Sequence, residues 1–396
     1  MMAQLFISSQ LCFLCGKMDF RLTEEQRMIQ SMVRDFAEKE VKPVADEIDR
    51  EERVPMENIR KMGELGLLGM IVPREYGGSG VDYVSYAIAC EELAKVCAST
   101  AALLSGANSL NCWPILVYGS EEQKQKYLVP MASGKTYGCF ALTEAGAGSD
   151  VGAIKMKAVL KGEKYILNGS KLFITSGSIA DTIIVFARTG KESGTRGLSA
   201  FIVEKETEGF SVGKTEEKLG IRGTATAELL FENCCIPREN LLGEEGQGFQ
   251  ISMETLDGGR IGIAACALGL AQGCLDLSLQ YSKERVQFGQ PICNFQAIQW
   301  KLADMATQTE AARLLVYRAA QLKDSGKRCR VEASMAKMYA SEIATRIAID
   351  AVQIHGGYGY TKDFAVERFM RDVKIFEIFE GTNEMQRLVI ARGLLG

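Results

Sequence analysis

The segment Tyr165-Ile166-Leu167-Asn168-Gly169-Ser170-Lys171-Leu172-Phe173-Ile174-Thr175 decides how the middle of this 396-residue chain is interpreted. Two runs rich in β-branched and aromatic residues flank Asn168-Gly169, a dipeptide that favours a tight two-residue turn. The pattern predicts a β-hairpin with Asn168-Gly169 at its tip. Further strand candidates follow at 182–188, 198–203 and 225–231, separated by glycines and without a long helical pattern between them. We therefore predict an antiparallel β domain rather than a doubly wound parallel sheet.

The residues on both sides of this region have helical patterns. Thr23, followed by two acidic residues and Gln26, is typical of a helix N-cap with a capping box. Nearer the C-terminus, apolar residues recur at spacings of three, four or seven and predict one buried helix face: Ile298, Leu302, Met305, Ala312, Val316, Ala319 and Leu322. The sequence thus predicts an α+β fold in three consecutive domains, at 18–135 (helical), 136–240 (β) and 241–396 (helical).

Residues 1–17 precede the organised pattern, which begins at Met18-Asp19-Phe20. They contain an apolar patch, but they lack the positively charged start of a secretory signal and the arginines of a mitochondrial presequence. We interpret them as a dispensable leader.

Composition and charge exclude several functional classes. A hydrophobic content of 47%, a charged content of 24% and a net charge of −4 are ordinary for a soluble globular protein and give no basic footprint for nucleic acid. No long apolar run free of charge appears, so we expect no membrane span. The 12 cysteines are scattered through apolar segments, which favours free thiols in a reducing cytoplasm. His355 is the only histidine, which argues against a zinc site or a Ser-His-Asp hydrolase, and we expect no metal.

Glu380 is the first candidate catalytic residue. It lies in Phe379-Glu380-Gly381-Thr382-Asn383-Glu384, where a loop meets an apolar helix that Thr382 could cap. A carboxylate at such a junction can be desolvated, and desolvation raises its pKa towards values that suit a general base. The alternative is an ordinary solvated charge in the first turn of a helix.

Glycine-rich segments supply further candidates. The loop 146–150 resembles part of a nucleotide-binding glycine loop, but a strand pattern follows it, so the Rossmann interpretation fails. It is either a loop whose main-chain N–H groups cradle a phosphate or a flat ring, or a plain tight turn. The segment 353–360 is either a functional loop or a helix C-cap with its exit. Arg285 is a surface charge or a phosphate clamp. The sequence Asp257-Gly258-Gly259-Arg260 is predicted to open an apolar helix, with close backbone approach at the glycine pair.

Together these segments resemble the acyl-CoA dehydrogenase family, most closely its short-chain, butyryl-CoA-like members. The resemblance runs from about Met18 to the C-terminus and is carried by four motifs in matching order and separation: 142–150 (LTEAGAGSD), 285–289 (RVQFG), 353–357 (QIHGG) and 380–382 (EGT). It implies a helical N-terminal domain, a middle antiparallel β domain and a C-terminal four-helix bundle, with FAD as the cofactor.

The resemblance also assigns roles to residues. Flavin-binding residues on the same subunit are expected at Phe140, Ala141, Leu142, Thr143, Gly148, Ser149, Phe173, Ile174 and Thr175, with Thr175 near the reactive flavin N5. FAD from a neighbouring subunit is expected to meet Arg285, Gln296, Gln353, Ile354, His355, Gly356 and Gly357, and the cofactor also meets Thr382, Asn383 and Glu384. The acyl-CoA thioester is expected at Ser149, Asp257, Gly258, Gly259, Arg260 and Gly381. A cofactor site shared between subunits implies a homotetramer, and the family's electron acceptor is electron-transferring flavoprotein.

The implied reaction is α,β-dehydrogenation of a short or medium acyl-CoA to the trans-2-enoyl-CoA. Glu380 removes the α-proton while the β-hydride passes to the flavin, and hydrogen bonds from the Glu380 N–H and a flavin hydroxyl stabilise the developing enolate. Some branches of the family carry their base immediately before the bundle-helix arginine, where this chain has Gly259, and this favours Glu380 as the base.

The chain departs from the family pattern at Ala145, Phe173 and Phe379, where proline, tryptophan and tyrosine are usual. The Phe379 change weakens any assignment of the acyl group, so linear, branched and cyclic acids stay open, with acyl contacts expected near Cys97, Ser99, Thr100, Leu103 and Leu256. The rival hypotheses are an enoyl-CoA reductase working in the reverse direction, an acyl-CoA oxidase, and a non-catalytic flavin- or acyl-CoA-binding scaffold.

Overall fold

The structure is a computed structural model that describes residues 21–190 and 194–396; the predicted leader at 1–17 lies outside the described residues. The first part of the described chain is helical, as predicted, and Thr23 caps the first helix through the expected capping box with Gln26. The α-helices of this part are α1 Glu24–Phe36, α2 Ala45–Glu51, α3 Met56–Glu64, α4 Tyr83–Ala94, α5 Ala98–Gly106, α6 Trp113–Tyr118, α7 Glu121–Gln123 and α8 Val129–Ala132.

The middle of the chain forms an eight-stranded sheet. Its strands are β1 Gly138–Ala141, β2 Lys157–Lys161, β3 Lys164–Thr175, β4 Thr182–Arg188, β5 Leu198–Glu204, β6 Phe210–Thr215, β7 Thr226–Pro237 and β8 Leu241–Leu242. Their order is β6-β7-β3-β2-β4-β5-β8, and β1 lies beside β4. Neighbouring strands are antiparallel except that β4 pairs in parallel with β1 and, at one residue pair, with β2. The three further strand candidates are confirmed as β4, β5 and the first part of β7.

The predicted hairpin tip at Asn168-Gly169 is wrong. β3 runs through both residues, and the hairpin turn lies earlier, between Lys161 and Lys164. Asn168 and Gly169 instead form an irregularity where the register of β3 against β7 shifts, and Gly169 has φ +145°. The Asn168 side chain accepts a hydrogen bond from the Asn233 N–H at 2.8 Å, which satisfies the β7 backbone beside the irregularity. Asn-Gly supplies unusual backbone angles to bulges as readily as to turns, so local sequence does not separate the two.

The C-terminal part is helical again, and its long helices pack as a bundle against α4 and α5. Its elements are α9 Gly248–Glu284, β9 Val286–Gln287, β10 Gln290–Pro291, α10 Gln296–Asp324, α11 Arg330–His355, α12 Val366–Val373 and α13 Asn383–Leu395. The predicted apolar stripe lies on α10 and faces the core, with Met305, Ala312, Val316 and Ala319 buried. This confirms the predicted α+β class.

Helix α9 is the central element of this helical core. It is the one helix among the described residues that is long and apolar enough to cross a membrane, but 83% of its apolar window is buried within the protein. That burial is the pattern of a helix enclosed by other helices. The segment from Asp257 to Arg260 lies inside α9, so the prediction that it opens the helix is wrong, because the helix already begins at Gly248.

A loop of the sheet region is tied to both helical parts by hydrogen bonds. The Ile221 N–H donates to Asp372 Oδ1 at 2.6 Å, and the Gly223 N–H donates to Ser99 Oγ at 3.2 Å. Arg371, beside Asp372, pairs with Asp49 at 2.7 Å. These bonds fix the three parts of the chain relative to one another.

Candidate active site

Glu380 lies in a strained turn that ends at the N-terminus of α13. Its φ is +52°, and Gly381 follows with φ +93°, so two consecutive residues occupy the left-handed region. For a non-glycine residue this conformation costs on the order of 1 kcal/mol or more. As predicted, Thr382 caps α13, its side chain accepting a hydrogen bond from the Met385 N–H at 3.4 Å. The turn points the Glu380 side chain back into the protein rather than along the helix.

The Glu380 carboxylate lies directly against the backbone of α9. A Cβ atom placed on Gly259 would be 2.1 Å from Glu380 Oε2, and Leu110 closes the same space at 3.1 Å from that position. The close approach predicted for the glycine pair is found at Gly259, where the approaching group is the predicted catalytic acid, but not at Gly258, where a Cβ would make only an ordinary contact with Tyr83. The residue as a whole is half-buried, yet its Oε2 atom is buried and has no hydrogen-bond partner among the described residues.

Burial of this carboxylate raises the pKa of Glu380 to about 7, and the positive charges of Arg260 and Lys337 act in the opposite direction. Burial also lowers the pKa of the Arg260 guanidinium, which is only 5% exposed. A carboxyl group that ionises near neutral pH and lies in a dry pocket can accept a proton from a carbon acid. The electrostatics suit the role predicted from the sequence.

Three buried polar atoms without a partner among the described residues lie around this part of α9. They are Glu380 Oε2, Arg260 Nε and Tyr83 Oη. Tyr83 Oη would be 3.6 Å from a Cβ on Gly258, and Arg260 Nη2 would be 3.9 Å from one on Gly381. Buried polar groups are nearly always satisfied, so a cluster of unsatisfied ones indicates a place for a polar ligand or ordered water.

Asp257 anchors the positive charge beside this cluster. Its carboxylate pairs with Arg260 Nη1 at 2.8 Å and with Arg330 Nε at 3.1 Å. The structure thus brings together the predicted substrate residues Asp257, Gly258, Gly259, Arg260 and Gly381 with Glu380, while Ser149 is exposed on the loop after β1. Sequence reasoning did not find Tyr83, Leu110 or Lys337.

The second group of predicted residues surrounds the loop that follows β1. The Lys171 ammonium is fully buried and donates to Leu142 O at 3.0 Å and to Glu144 Oε1 at 2.8 Å. Burial lowers the pKa of Lys171 to about 8. Glu144 also accepts the Lys155 N–H at 2.7 Å, and the Leu172 N–H donates to Thr143 O at 2.9 Å. These bonds hold the predicted flavin loop against β3.

Phe173 is displayed on the surface beside that loop. It lies in a second register shift of β3, between Lys171 and Ile174, with φ +59°, and 60% of the residue is exposed. Ile174 is buried and Thr175 is half-buried, while Phe140 packs on Phe186 with ring centroids 4.9 Å apart. With respect to the described residues, Gly146 and Gly148 have open space where a side chain would be. An open glycine loop next to an exposed aromatic ring fits a flat ring system such as a flavin.

The third group forms a separate cavity of about 530 Å³ at the end of α11, whose lining contains none of the residues around Glu380. The Arg285 guanidinium stacks over the Tyr358 ring at 5.5 Å. His355 is buried, stacks on Tyr281 at 4.3 Å, and has its pKa lowered by burial, so its ring is neutral near pH 7. Gly356 and Gly357 are exposed, and a Cβ on either of them would have no atom of residues 21–190 or 194–396 within 4 Å beyond its chain neighbours. The cavity offers one fixed cation and open main chain to a ligand.

The remaining predicted cofactor residues differ in exposure. Gln296, the first residue of α10, and Gln353 are exposed, whereas Ile354 is buried. The Asn383 side chain is buried and directed towards α11, where it bonds to Lys337 and Ser341, while Glu384 is exposed. Among the described residues, no group of three His, Cys, Asp or Glu side chains is arranged to hold a metal ion.

Comparison with known proteins defines the class. Models of the acyl-CoA dehydrogenase N-terminal, middle and C-terminal domains match residues 23–135, 139–234 and 246–395. The chain is 55% identical over 374 residues to a short-chain specific acyl-CoA dehydrogenase of Clostridium acetobutylicum, covering 94% of this chain and 99% of that relative. It is 51% identical over 381 residues to an acryloyl-CoA reductase (NADH) of Anaerotignum propionicum, covering 96% of each.

A solved structure agrees with this result. The fold is similar to that of butyryl-CoA dehydrogenase from Megasphaera elsdenii, with a TM-score of 0.94 and 49% identity, covering 96% of this chain and 100% of that one. The chain belongs to the acyl-CoA dehydrogenase family. It is an FAD-dependent enzyme that dehydrogenates acyl-CoA thioesters, which confirms the predicted family, enzyme class and cofactor.

Proposed function

We propose that this enzyme acts on short acyl-CoA thioesters such as butyryl-CoA, with Glu380 as the base that removes the α-proton. The observation that carries the proposal is the position of Glu380 Oε2, which is buried, lies in contact range of the Gly259 backbone and has no hydrogen-bond partner in the part of the chain that the structure describes. The names of the Clostridium and Megasphaera relatives support a short acyl chain.

The residues around Glu380 suit proton abstraction from a carbon next to a thioester carbonyl. Burial raises the pKa of the acid to about 7, so a large fraction is ionised at neutral pH and the carboxylate is still a competent base. Glu380 Oε2 is buried away from bulk solvent, which strengthens electrostatic interactions at that atom. Substrate contacts are proposed for Asp257, Gly258, Gly259, Arg260 and Gly381, because the unsatisfied atoms around α9 offer polar partners there. Ser149, on the loop after β1, is proposed as a substrate contact from the family resemblance.

The same structure supports a flavin site in two halves. One half comprises the end of β1, the loop after it and the end of β3. Its residues are Phe140, Ala141, Leu142, Thr143, Gly148, Ser149, Phe173, Ile174 and Thr175. The other half is the cavity at the end of α11, with Arg285, Gln296, Gln353, Ile354, His355, Gly356 and Gly357, and the start of α13 adds Thr382, Asn383 and Glu384. FAD supplies the acceptor for the hydride that leaves the β-carbon.

We further propose that the second half binds the cofactor of a neighbouring subunit in a homotetramer. Large aromatic side chains are exposed close to the cavity in sequence, with Phe288 94% and Trp300 65% exposed. Exposed aromatic residues of this size are typical of association surfaces. Electron-transferring flavoprotein as acceptor, a cytoplasmic location and domain boundaries at 135/136 and 240/241 complete the proposal.

The decisive experiment compares the wild type with Glu380→Gln. Anaerobic addition of butyryl-CoA to the wild-type holoenzyme is expected to bleach the visible flavin absorbance. Glu380→Gln is expected to retain FAD and to bind butyryl-CoA, but to bleach at least about 10³-fold more slowly, because an amide cannot accept the α-proton. A normal bleaching rate in this variant would show that another group is the base. Failure of the wild type to bleach with any acyl-CoA of a linear, branched and cyclic panel would favour a binding scaffold.

A reductase working in the opposite direction is the second candidate, because the Anaerotignum relative is named for that activity. Both directions use the same base and cofactor, so the site geometry does not separate them. The test is oxidation of NADH by acryloyl-CoA or crotonyl-CoA, with and without added electron-transferring flavoprotein. Turnover faster in the reductive direction than with butyryl-CoA would establish the reductase.

A further inference from the structure

Lys337 is a buried lysine in contact with the turn that carries Glu380. It lies on α11, none of its surface is exposed, and its Nζ donates to Gly381 O and to Asn383 Oδ1, each at 2.9 Å. The two acceptors flank Thr382, the N-cap of α13. A single ammonium group therefore links α11 to both sides of the junction where the Glu380 turn becomes a helix.

The turn needs such a link because its backbone is strained. Glu380 and Gly381 both have positive φ, and strain of this kind persists only where the surroundings hold it. Gln386 supplies a second restraint, since its Nε2 donates to Gly381 O at 2.7 Å and to Glu380 O at 3.3 Å. Asn383 is itself fixed by Ser341, whose hydroxyl lies 3.0 Å from its Nδ2. Lys337 is the only charged donor among the described partners of Gly381 O.

The choice of a lysine, rather than a neutral donor, has an electrostatic consequence. Burial lowers the pKa of Lys337 to about 8, and the charge of Glu380 is the largest influence that opposes this shift. In turn, Lys337 is one of two cations that oppose the rise of the Glu380 pKa, the other being Arg260. A buried ammonium is costly, and a neutral donor would satisfy Gly381 O at a lower desolvation cost.

We propose that Lys337 is a positioning residue for the catalytic base: its ammonium holds the Gly381 turn that aims Glu380 at the Gly259 backbone, and it places a positive charge at that turn. The inference rests on the proposed function only in taking Glu380 as the base.

Other charged groups face the same space and have to be considered with Lys337. Arg260 of α9 acts on both Glu380 and Lys337, and Glu377 and Glu384 act on Lys337 from the two sides of the turn. Arg260 is already paired with Asp257, and Glu377 is paired with Lys374. Lys337 pairs with no carboxylate within 4 Å among the described residues, so its charge, unlike those of Arg260 and Glu377, has no direct ionic partner.

Three variants separate the two parts of the role. Lys337→Met removes both the donor and the charge at similar volume, whereas Lys337→Gln keeps a donor for Gly381 O and removes only the charge. Lys337→Arg keeps both. As a matched control, Ser341→Ala removes a neighbouring polar contact to Asn383 and leaves the ammonium in place.

The measurements are the pH dependence of flavin reduction by butyryl-CoA and the titration of the Glu380 carboxyl by infrared difference spectroscopy against Glu380→Gln. Lys337→Met and Lys337→Gln are expected to shift the acid limb and the infrared titration upward by about one pH unit. Lys337→Met is expected to lower the plateau rate by on the order of 10- to 100-fold as well, because the turn loses its restraint. Lys337→Arg and Ser341→Ala are each expected to lose activity at low pH over the same pH range as the wild type.

The outcomes are distinguishable from those of the proposed function. A Glu380 infrared titration that is the same in the wild type, Lys337→Met and Lys337→Gln would overturn the inference, whatever the activity. A loss of thermal stability with an unmoved acid limb would show a merely structural lysine and would also overturn it. Lack of flavin reduction in the wild type contradicts the proposed function, while the infrared titration still decides the role of Lys337.

Discussion

The carboxylate of Glu380 occupies the space where a side chain at position 259 would begin, although Gly259 and Glu380 are far apart in the sequence. A Cβ on Gly259 would lie 2.1 Å from Oε2 and 2.9 Å from Cδ of Glu380. Glycine in the interior of a long helix is unfavourable by about 1 kcal/mol relative to alanine. The helix tolerates this cost at the position where the acid has to approach.

Gly259→Ala is therefore expected to displace the Glu380 carboxylate and slow flavin reduction by butyryl-CoA by on the order of 100-fold, because a misplacement of about 1 Å has an effect of that size. FAD content is expected to stay at the wild-type level, since no predicted flavin contact changes. Stopped-flow reduction measured on protein of known flavin content checks both statements.

A double-mutant cycle tests the contact itself. Glu380→Asp shortens the acid by one methylene group, so it loses reach in the wild-type background but relieves the clash in Gly259→Ala. The two substitutions are expected to be less damaging together than the product of their separate effects predicts. Independent effects of the two changes would argue that the carboxylate does not lie against position 259 in the working enzyme.

The pH profile offers a direct test of Glu380 burial. Only the ionised carboxylate can accept a proton, and burial raises the pKa of Glu380 to about 7. The pH dependence of kcat/KM reports the pKa of the base in the free enzyme. We expect kcat/KM for butyryl-CoA to rise about tenfold per pH unit below about pH 7 and to level off above it. An acid limb close to the ordinary glutamate value would contradict a desolvated base.

Local sequence was sufficient to predict the elements that local chemistry controls. The Thr23 capping box, the Thr382 cap and the apolar stripe of α10 were all predicted correctly, because each depends on residues within a few positions of one another. The hairpin tip at Asn168-Gly169 failed for the same reason, since whether such a dipeptide forms a turn or a bulge depends on the partner strand.

The environment of the predicted base could be foreseen only in part. The candidacy of Glu380 followed from its sequence and from the family resemblance, but its burial depends on Gly259 and Leu110, which only the tertiary fold brings to it. The sequence feature that indicates a role for Lys337 is its place in the buried stripe of α11 with Ala333, Ala340 and Ala344. A lysine is rarely buried unless it has a specific partner.

The burial of Glu380 is also expected to make the free energy of unfolding depend on pH. The native protein holds a proton on Glu380 up to about pH 7, whereas the unfolded chain releases it near 4.5. The contribution of this group to stability is therefore complete below pH 4.5, falls as the pH rises to about 7, and is constant above. The side chain of Glu380→Gln does not ionise. The free energy of unfolding of this variant, relative to the wild type, should therefore increase over that pH interval by up to about 3 kcal/mol. Tm values of both proteins at pH 5 and pH 8 measure the change, and an equal difference at the two values would contradict it.

Lys171 is expected to control retention of the cofactor rather than the chemistry. Its buried ammonium joins the carbonyl of Leu142 to the carboxylate of Glu144, and this joint fixes the loop proposed to hold the flavin. Lys171→Met leaves those acceptors without their charged donor and should weaken FAD binding by on the order of 10- to 100-fold, since a hydrogen bond to a charged group contributes about 1.5–3 kcal/mol. Lys164→Met, the same change at an exposed position of β3, provides the matched control and should bind FAD normally. Titration of the two apoproteins with FAD, followed by flavin fluorescence, measures the difference; equal affinities would mean that the loop keeps its shape without the buried ammonium.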